Sequence, residues 1–522
     1  MKKLIECVPN FSEGRDMNII HQISKAIESV DGIRLLNVDP GKSTNRTVIT
    51  FAGDENQVVE AAFQAISKAA ELIDMRKHSG EHPRFGATDV CPFIPIANAT
   101  MDDCIACARK LGERVGKELR IPVYLYEYAA NNPVRKNLAN IRAGEYEGIS
   151  KKIAEPEWKP DFGPTQWNEK CGNIAIGARD FLVAYNVNLN TTSVRRANSV
   201  AFDVREAGRK IKNDKGVEIT QSGICKAVKG IGWYIPEYGI SQVSMNLTNI
   251  NITPVHIAFD ACVQSAHNRG MRVTGSELVG LIPLQAMLDA GKYFLIKQNR
   301  SAGVSVEELI KIAVKSLGLD ELGPFNPRKR IVEYLLEEEN PPQLINKTLK
   351  DFADETASES PAGGGSVAAY VGVLGISLGT MVANLSSHKK GWDDRWKEFS
   401  DVAERGQKIK DRLLQLVDED TSSFNKIMEA YCLPKSSEKE KELRREAIQL
   451  ATKTAIEVPF EVMTLCLESF EIIKAMAEKG NPNSVSDAGV GALCVRAAIY
   501  GAFLNIKINA SGYEDKDYVA KN

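Results

Sequence analysis

The 522-residue sequence has little net charge: 66 lysines and arginines stand against 68 aspartates and glutamates, leaving −2 with histidine neutral. That balance argues against a nucleic-acid or membrane partner selected by bulk electrostatics and leaves a local anion site open. No apolar run reaches the length expected to span a bilayer. The start has a short basic cap, Met1-Lys-Lys, but Glu6 and Asn10 interrupt any signal-peptide core. A cytoplasmic protein is the expectation. A disulfide frame is missing too, since the ten cysteines are scattered singly, as reduced and buried thiols are. The one close pair, Cys104 and Cys107, sits in a helical run with no second pair at zinc-finger spacing. Two cysteines on an apolar helix face are expected there, and no metal.

What is present is enough chain for several domains. Alternating runs at 4–8, 33–38, 46–51, 90–96 and 123–126 read as strands, with amphipathic helices at 56–73 and 102–118 between them. A second set follows: strand 181–189, helix 192–210, strands near 230–234 and at 240–247, helix 254–268 and strand 272–281. That order, β-α-β-β-α-β, is ferredoxin-like. From about 305 strand-like alternation stops. Leu335-Leu-Glu-Glu-Glu-Asn-Pro-Pro342 punctuates like a linker, and helical segments follow at 346–357, 364–386, 394–431, 437–455, 458–479 and 486–510. The expected fold is multidomain: two ferredoxin-like α/β subdomains (1–180 and 181–330), a linker (331–345) and an all-α helical bundle domain (346–522). The irregular stretch 130–180 is a functional loop or a domain junction.

Histidine is scarce, with six in the chain, and two of them lie within one loop, Met75-Arg-Lys-His78-Ser-Gly80-Glu81-His82-Pro83-Arg84. His78 to His82 matches the H-x-x-E-H zinc-protease pattern, which needs a helix. Gly80 weakens a helix and Pro83 biases His82 away from one. Two readings remain: a general acid/base histidine with Asp39, Arg84 or Asp89 as charge partner, or a surface loop with incidental histidines. Phe162 to Gly172 either wraps a flat ligand under Trp167 or links domains. Ser222-Gly223-Ile224-Cys225 reads as a turn before a strand. Ser360-Pro-Ala-Gly363-Gly-Gly-Ser366 lacks the Walker ending; its glycines either attract an anion at a helix start or allow close helix packing. In the 394–431 helix, Leu413, Leu416, Val417 and Phe424 form an apolar stripe. Asp420 falls on that stripe, whereas Asp418 points to nearly the opposite face and reads as solvated. A carboxylate on a buried face is costly unless paired or used. Asp420 is thus an acid/base candidate or a salt-bridged structural aspartate. Ser486 or Asp487 is the expected cap of the last helix.

Glu6-Cys-Val-Pro-Asn-Phe-Ser-Glu-Gly14, Asp39-Pro-Gly-Lys-Ser-Thr-Asn-Arg46-Thr, Gly80-Glu-His-Pro-Arg84, Asp89-Val-Cys-Pro-Phe-Ile-Pro95, Ile141-Arg-Ala-Gly-Glu-Tyr-Glu147 and Gly230-Ile-Gly-Trp-Tyr234 together resemble the glutamate formimidoyltransferase domain. Gly363-Gly-Gly-Ser-Val-Ala-Ala369 and the helical back third resemble the formimidoyltetrahydrofolate cyclodeaminase domain. The order is similar to that of the bifunctional formimidoyltransferase-cyclodeaminases. The resemblance implies transfer of a formimino group from N-formimino-L-glutamate to tetrahydrofolate. It implies next the cyclisation of 5-formiminotetrahydrofolate to 5,10-methenyltetrahydrofolate with loss of ammonia. The transferase histidine falls on His82 and the cyclodeaminase aspartate on Asp420. Folate contacts fall on Gly163, Pro164, Thr165, Gln166, Trp167, Asn168, Glu169, Lys170, Cys171 and Gly172, and on Gly223, Ile224 and Cys225. Tetrahydrofolate, polyglutamylated, would be the co-substrate, with no metal, nucleic acid or membrane involved and a homo-oligomer as the assembly. The glycine loop departs from the family's usual Ala-Pro-Gly-Gly-Gly-Ser. A transferase whose helical domain is degenerate, or a non-catalytic folate-binding scaffold, are the alternatives.

Overall fold

The computed structural model describes residues 3–518 apart from 43, 81–83, 213–216, 337–342, 359–362 and 516. The chain divides into two compact units, residues 1–286 with 317–336 and residues 287–316 with 337–522.

The first unit begins β1 (Leu4–Cys7), β2 (Asn10–Phe11), α1 (Met17–Glu28), β3 (Arg34–Gly41), β4 (Arg46–Gly53), α2 (Glu55–Leu72) and β5 (Thr88–Ala97). It continues with α3 (Met101–Arg114), β6 (Val123–Glu127), α4 (Leu138–Arg142), α5 (Glu145–Lys152) and β7 (Ile174–Ala178). The stretch 130–180 is thus partly helical. Strands β1 and β2 both lie antiparallel between β4 and β5, and β3 flanks β4. Strands β7 and β6 extend the sheet parallel to β5. Alternation decides the faces. Ile5, Cys7, Ile49 and Phe51 join one core with Ile23 and Ile27 of α1 and Val58, Ala62 and Ile66 of α2. Asp54 and Gln57 close a capping box at the start of α2, and Thr100 and Asp103 do so at α3. Cys104 and Cys107 are buried on the inner face of α3.

A second sheet follows from β8 (Val183–Leu189), α6 (Val194–Val204), a hairpin of β9 (Arg209–Lys212) and β10 (Glu218–Gln221), β11 (Val228–Ile235), β12 (Ile240–Leu247), α7 (Val255–His267) and β13 (Val273–Val279). Its order is β11-β12-β8-β13, antiparallel throughout. The helix expected to reach 210 stops at Val204, and the hairpin after it escaped the sequence reading. Tyr185 and Met245 turn toward Cys262 of α7, so Ala184, Asn186 and Asn188 occupy the opposite face of β8.

The helices α8 (Leu284–Lys297), α9 (Val306–Leu317), α10 (Pro327–Arg330) and α11 (Val332–Leu336) come next. Residues 287–316 belong to the helical unit although they precede the linker-like run. Ser301 donates to Asn384 (2.7 Å) and the Ala302 N–H to Ser400 (3.0 Å). After α12 (Leu349–Thr356), four long helices pack together: α13 (Gly364–Ser387), α14 (Trp396–Cys432), α15 (Glu438–Lys479) and α16 (Val485–Ser511). Two helices were expected where α15 is one. Pro459 lies inside it and buried, so packing on both sides outweighs the proline's lost hydrogen bond. Two helical spans, Gly364–Ser387 and Pro482–Ser511, are long and apolar enough to cross a membrane by length and composition, contrary to the sequence reading. Their alanines, glycines and serines break up any run of large apolar residues. In the first span 61% of the apolar window is buried inside the protein.

Candidate active sites

His82 lies outside the described residues, with Glu81 and Pro83. Its flanks are well tied. His78 is half-buried, its Nε2 2.8 Å from the Asn45 carbonyl, and burial holds its pKa below the usual histidine value. A Cβ on Gly80 would stand 2.3 Å from the Thr44 carbonyl oxygen, which requires glycine there. No described residue from 75 to 87 is helical, so the zinc-protease geometry finds no support. Arg84 pairs with Glu147, donates to the His78 carbonyl (2.6 Å) and lies 5.4 Å over the Tyr146 ring.

The segment Gly163–Gly172 is laced to both arms of this loop. The Met75 N–H donates to the Lys170 carbonyl (2.9 Å), the Ala87 N–H to that of Cys171 (2.7 Å) and the Asn173 N–H to that of Phe85 (3.1 Å). Gly163, Thr165, Gln166, Glu169 and Lys170 are exposed, Pro164, Trp167 and Asn168 half-buried, Cys171 and Gly172 buried. Trp167, either the cover of a ligand or part of a linker on the residue reading, packs against Tyr146 with ring centres 5.5 Å apart. Gly223, Ile224 and Cys225 dock elsewhere, on the end of α6, where the Ile224 and Cys225 N–H groups donate to Asp203 (2.8 Å) and Val204 (2.9 Å). Ile224 is exposed and Cys225 buried. Among the described residues no hydrogen bond joins the two segments.

A cavity of about 610 Å³ opens between the two sheets of this unit. From the first sheet Glu6, Asn10, Asp39 and Arg46 reach it, and from the second Ala184, Lys229 and Asn246. Asp89, one possible partner for His82, is fully buried and held by two guanidiniums, Arg46 at 2.5 Å and Arg142. Arg46 also donates to Asn10 (2.7 Å), and burial draws its pKa down to about 10. Arg46 and Arg142 line the cavity with Arg179 and Lys229, beside the acids Glu6, Asp39, Glu127 and Asp180, so it offers cations that can meet a ligand carboxylate among acidic groups.

In the helical unit Asp420 sits on the N-terminus of α13. Its Oδ2 is 3.2 Å from Ser366 Oγ, and the Ser366 N–H also donates to the carboxyl. The single Ser366 hydroxyl proton is shared between Asp420 and the Val417 carbonyl (2.8 Å), and Oγ lies 3.0 Å from Thr421 Oγ1. A Cβ on Gly365 would stand 2.2 Å from Asp420 Oδ1, so only glycine admits the carboxylate. The glycine run therefore serves close approach to a side chain. Burial raises the Asp420 pKa, and the Ser366 bonds oppose that rise. Leu413, Leu416 and Val417 are buried as expected, but Phe424 is 48% exposed. Asp418 is not a solvated charge: it accepts from the Leu344 N–H (2.7 Å), and burial raises its pKa. Neither Ser486 nor Asp487 caps the last helix; Asn481 caps the short turn ahead of it.

Residues 4–179 match the family model described as formiminotransferase domain, N-terminal subdomain, residues 184–337 the formiminotransferase domain, and residues 348–522 formiminotransferase-cyclodeaminase. A Gallus gallus formimidoyltransferase-cyclodeaminase is 44% identical over 520 residues, 99% of this chain and 94% of that protein. The chain belongs to the formimidoyltransferase-cyclodeaminase family. Each half of the family's arrangement has separate relatives. A glutamate formimidoyltransferase of Thermoplasma acidophilum is 46% identical over 56% of this chain and 92% of its own. A methenyltetrahydrofolate cyclohydrolase of Methylorubrum extorquens is 37% identical over 33% of this chain and 84% of its own. Glu6, Arg46 and Arg142 lie in motifs that carry the family resemblance, yet residue reading gave them no role. A glutamate between strand residues Ile5 and Cys7 was the signal available.

Proposed function

We propose that the α/β unit transfers the formimino group of N-formimino-L-glutamate to tetrahydrofolate. The helical unit then cyclises 5-formiminotetrahydrofolate to 5,10-methenyltetrahydrofolate and releases ammonia. The observation that carries the two-step reading is a half-buried aspartate seated on a helix start in a unit separate from the cavity-bearing one. In the first step folate N5 attacks the formimino carbon, and His82 moves the N5 proton to the departing glutamate nitrogen. The short hydrogen bonds tying Gly163–Gly172 to the loop around residue 82 support folate binding there. Gly223–Cys225 would meet folate from the second sheet. In the second step N10 attacks the same carbon, and Asp420 takes the N10 proton and delivers one to the leaving ammonia. Its raised pKa suits both roles.

The finer architecture fits two ferredoxin-like subdomains. The second sheet, taken in chain order, runs second-third-first-fourth, and β3-β4-β1-β5 repeats that order in the first. The expected compartment is the cytoplasm and the expected assembly a homo-oligomer, supported by apolar Leu493, Tyr500, Leu504 and Ile508 exposed along α16. A polyglutamylated folate tail, attached at several basic points, would keep the intermediate bound between steps. Free intermediate accumulating ahead of product, whatever the tail length, would remove that idea. The test of function supplies formiminoglutamate and tetrahydrofolate and follows methenyl absorbance. Folded protein that makes no methenyl product refutes the two-step reading.

A further inference from the structure

Glu6 is the least explained charge in the α/β unit. It sits mid-strand in β1, opposite Ala52 of β4 and Ile94 of β5, neither of which offers a side-chain donor. Its neighbours Ile5 and Cys7 face the helix-covered core, so Glu6 faces the cavity with Asn10. It is 3% exposed. Among the described residues no side chain or N–H donates a hydrogen bond to it. Arg179 favours ionisation, but its guanidinium donates to the Asp180 carbonyl (3.0 Å), while Glu333 opposes it. Burial with so little compensation pushes the carboxyl up to about 7. A buried acid that meets no donor among the described residues and has a cavity before it can take N–H donors from a ligand.

We infer that the Glu6 carboxylate receives a planar N–C–N fork, two N–H donors on one carbon, from a ligand lying in this cavity. The inference rests on the transferase reading and deepens it. A carboxylate matches such a fork in bidentate fashion, one oxygen to each N–H, as it matches guanidinium. The proposed reaction brings two molecules with that edge. The formimino donor presents a cationic amidine; the reduced pterin presents an amino group beside a ring N–H. Arg46 and Arg142, which line the same cavity, are then placed to meet a carboxylate of the same or the other ligand. The cavity volume suits a small-molecule site.

The experiment measures steady-state transfer by the full chain as wild type, Glu6→Gln and Glu6→Asp, varying each substrate in turn. Glutamine keeps the shape but sets an amide N–H against the fork. Glu6→Gln is expected to raise KM for one substrate by about ten- to a hundredfold, with kcat changed far less and Glu6→Asp intermediate. A rise confined to formiminoglutamate assigns the amidine, and a rise confined to tetrahydrofolate the pterin edge. Unchanged KM values, a fall in kcat alone, or an equal rise for both substrates overturns the inference. A retained circular-dichroism melting transition reports that the α/β unit of each variant is folded. A wild type that transfers nothing would instead refute the transferase reading.

Discussion

Gly365→Ala puts the Asp420 site under direct strain. The added methyl carbon would stand 2.2 Å from Oδ1, 2.5 Å from Cγ and 2.5 Å from Oδ2 of Asp420, closer than real Cβ contacts allow. Either α13 shifts away from α14 or the carboxylate swings off the helix start. Swinging is the cheaper route, because overpacking between buried helices costs about 1–3 kcal/mol. Alanine returns up to about 1 kcal/mol of helix propensity over glycine. The thermal midpoint should therefore move little, while the carboxylate loses its bonds to Ser366. Displacing a positioned acid/base group costs about 10²–10⁴-fold in rate. We expect ammonia release from supplied 5-formiminotetrahydrofolate to fall at least about a hundredfold on that basis. Formimino transfer, measured as glutamate release, should stay unchanged. Gly364→Ala is the internal control: its Cβ meets only Asn505 Nδ2 at 3.5 Å, an ordinary contact. Both variants retaining cyclodeaminase activity within about threefold would refute the placement of Asp420 as the reacting group.

Glu6 gives a pH prediction for the ligand-free protein. Its pKa is raised from 4.5 to about 7 by burial, so the native state holds a proton that the unfolded chain has lost across that window. Stability is full below 4.5 and falls as pH rises toward 7, by roughly 3 kcal/mol at 1.36 kcal/mol per unit. Glu6→Gln should remove that fall, gaining on wild type between about pH 5 and about pH 8 in urea unfolding; parallel curves would contradict the buried, uncompensated carboxyl. Asp420 should produce an acid limb in the cyclodeaminase pH profile above the ordinary aspartate range. Asp420→Asn should abolish turnover, and normal ammonia release by that variant would move the chemistry elsewhere. Leu504→Glu on the exposed face of α16 should shift light-scattering mass to smaller species if that face joins copies; an unchanged mass would dissociate the stripe from assembly.

Whatever depends on one element's own periodicity could be read from the sequence. Leu413, Leu416 and Val417 mark the inner face of α14, and Asp420 follows from them. What escaped depends on partners distant in the chain. Asp418 looks solvated on its own helix, but the Leu344 N–H arrives from 74 residues away to bind it. Asp89 looks available to His82 until Arg142, 53 residues on, closes over it with Arg46. Pro459 reads as a break because the local rule counts a lost hydrogen bond and cannot count burial between helices. Phe424 fails in the other direction: the stripe continues along α14, but the helices that cover it do not.

The two desolvated carboxyls, Glu6 buried and Asp420 half-buried, are met by different surroundings. Asp420 is desolvated, yet Ser366 meets it with an N–H and a hydroxyl, and the partial positive charge of a helix start lies beneath it. Such a group is held in place while free, with an oxygen left to exchange a proton. Glu6 is desolvated more deeply and meets no donor among the described residues, so its oxygens are open to N–H groups from a ligand. Preorganised donors suit an acid/base that must be ready before substrate arrives. Absent donors suit a receptor, because the ligand gains the full benefit of satisfying the carboxylate. By that reasoning an exchange of roles is disfavoured: proton transfer belongs with Asp420 in the helical unit, and in the α/β unit with the loop around residue 82, leaving Glu6 to bind.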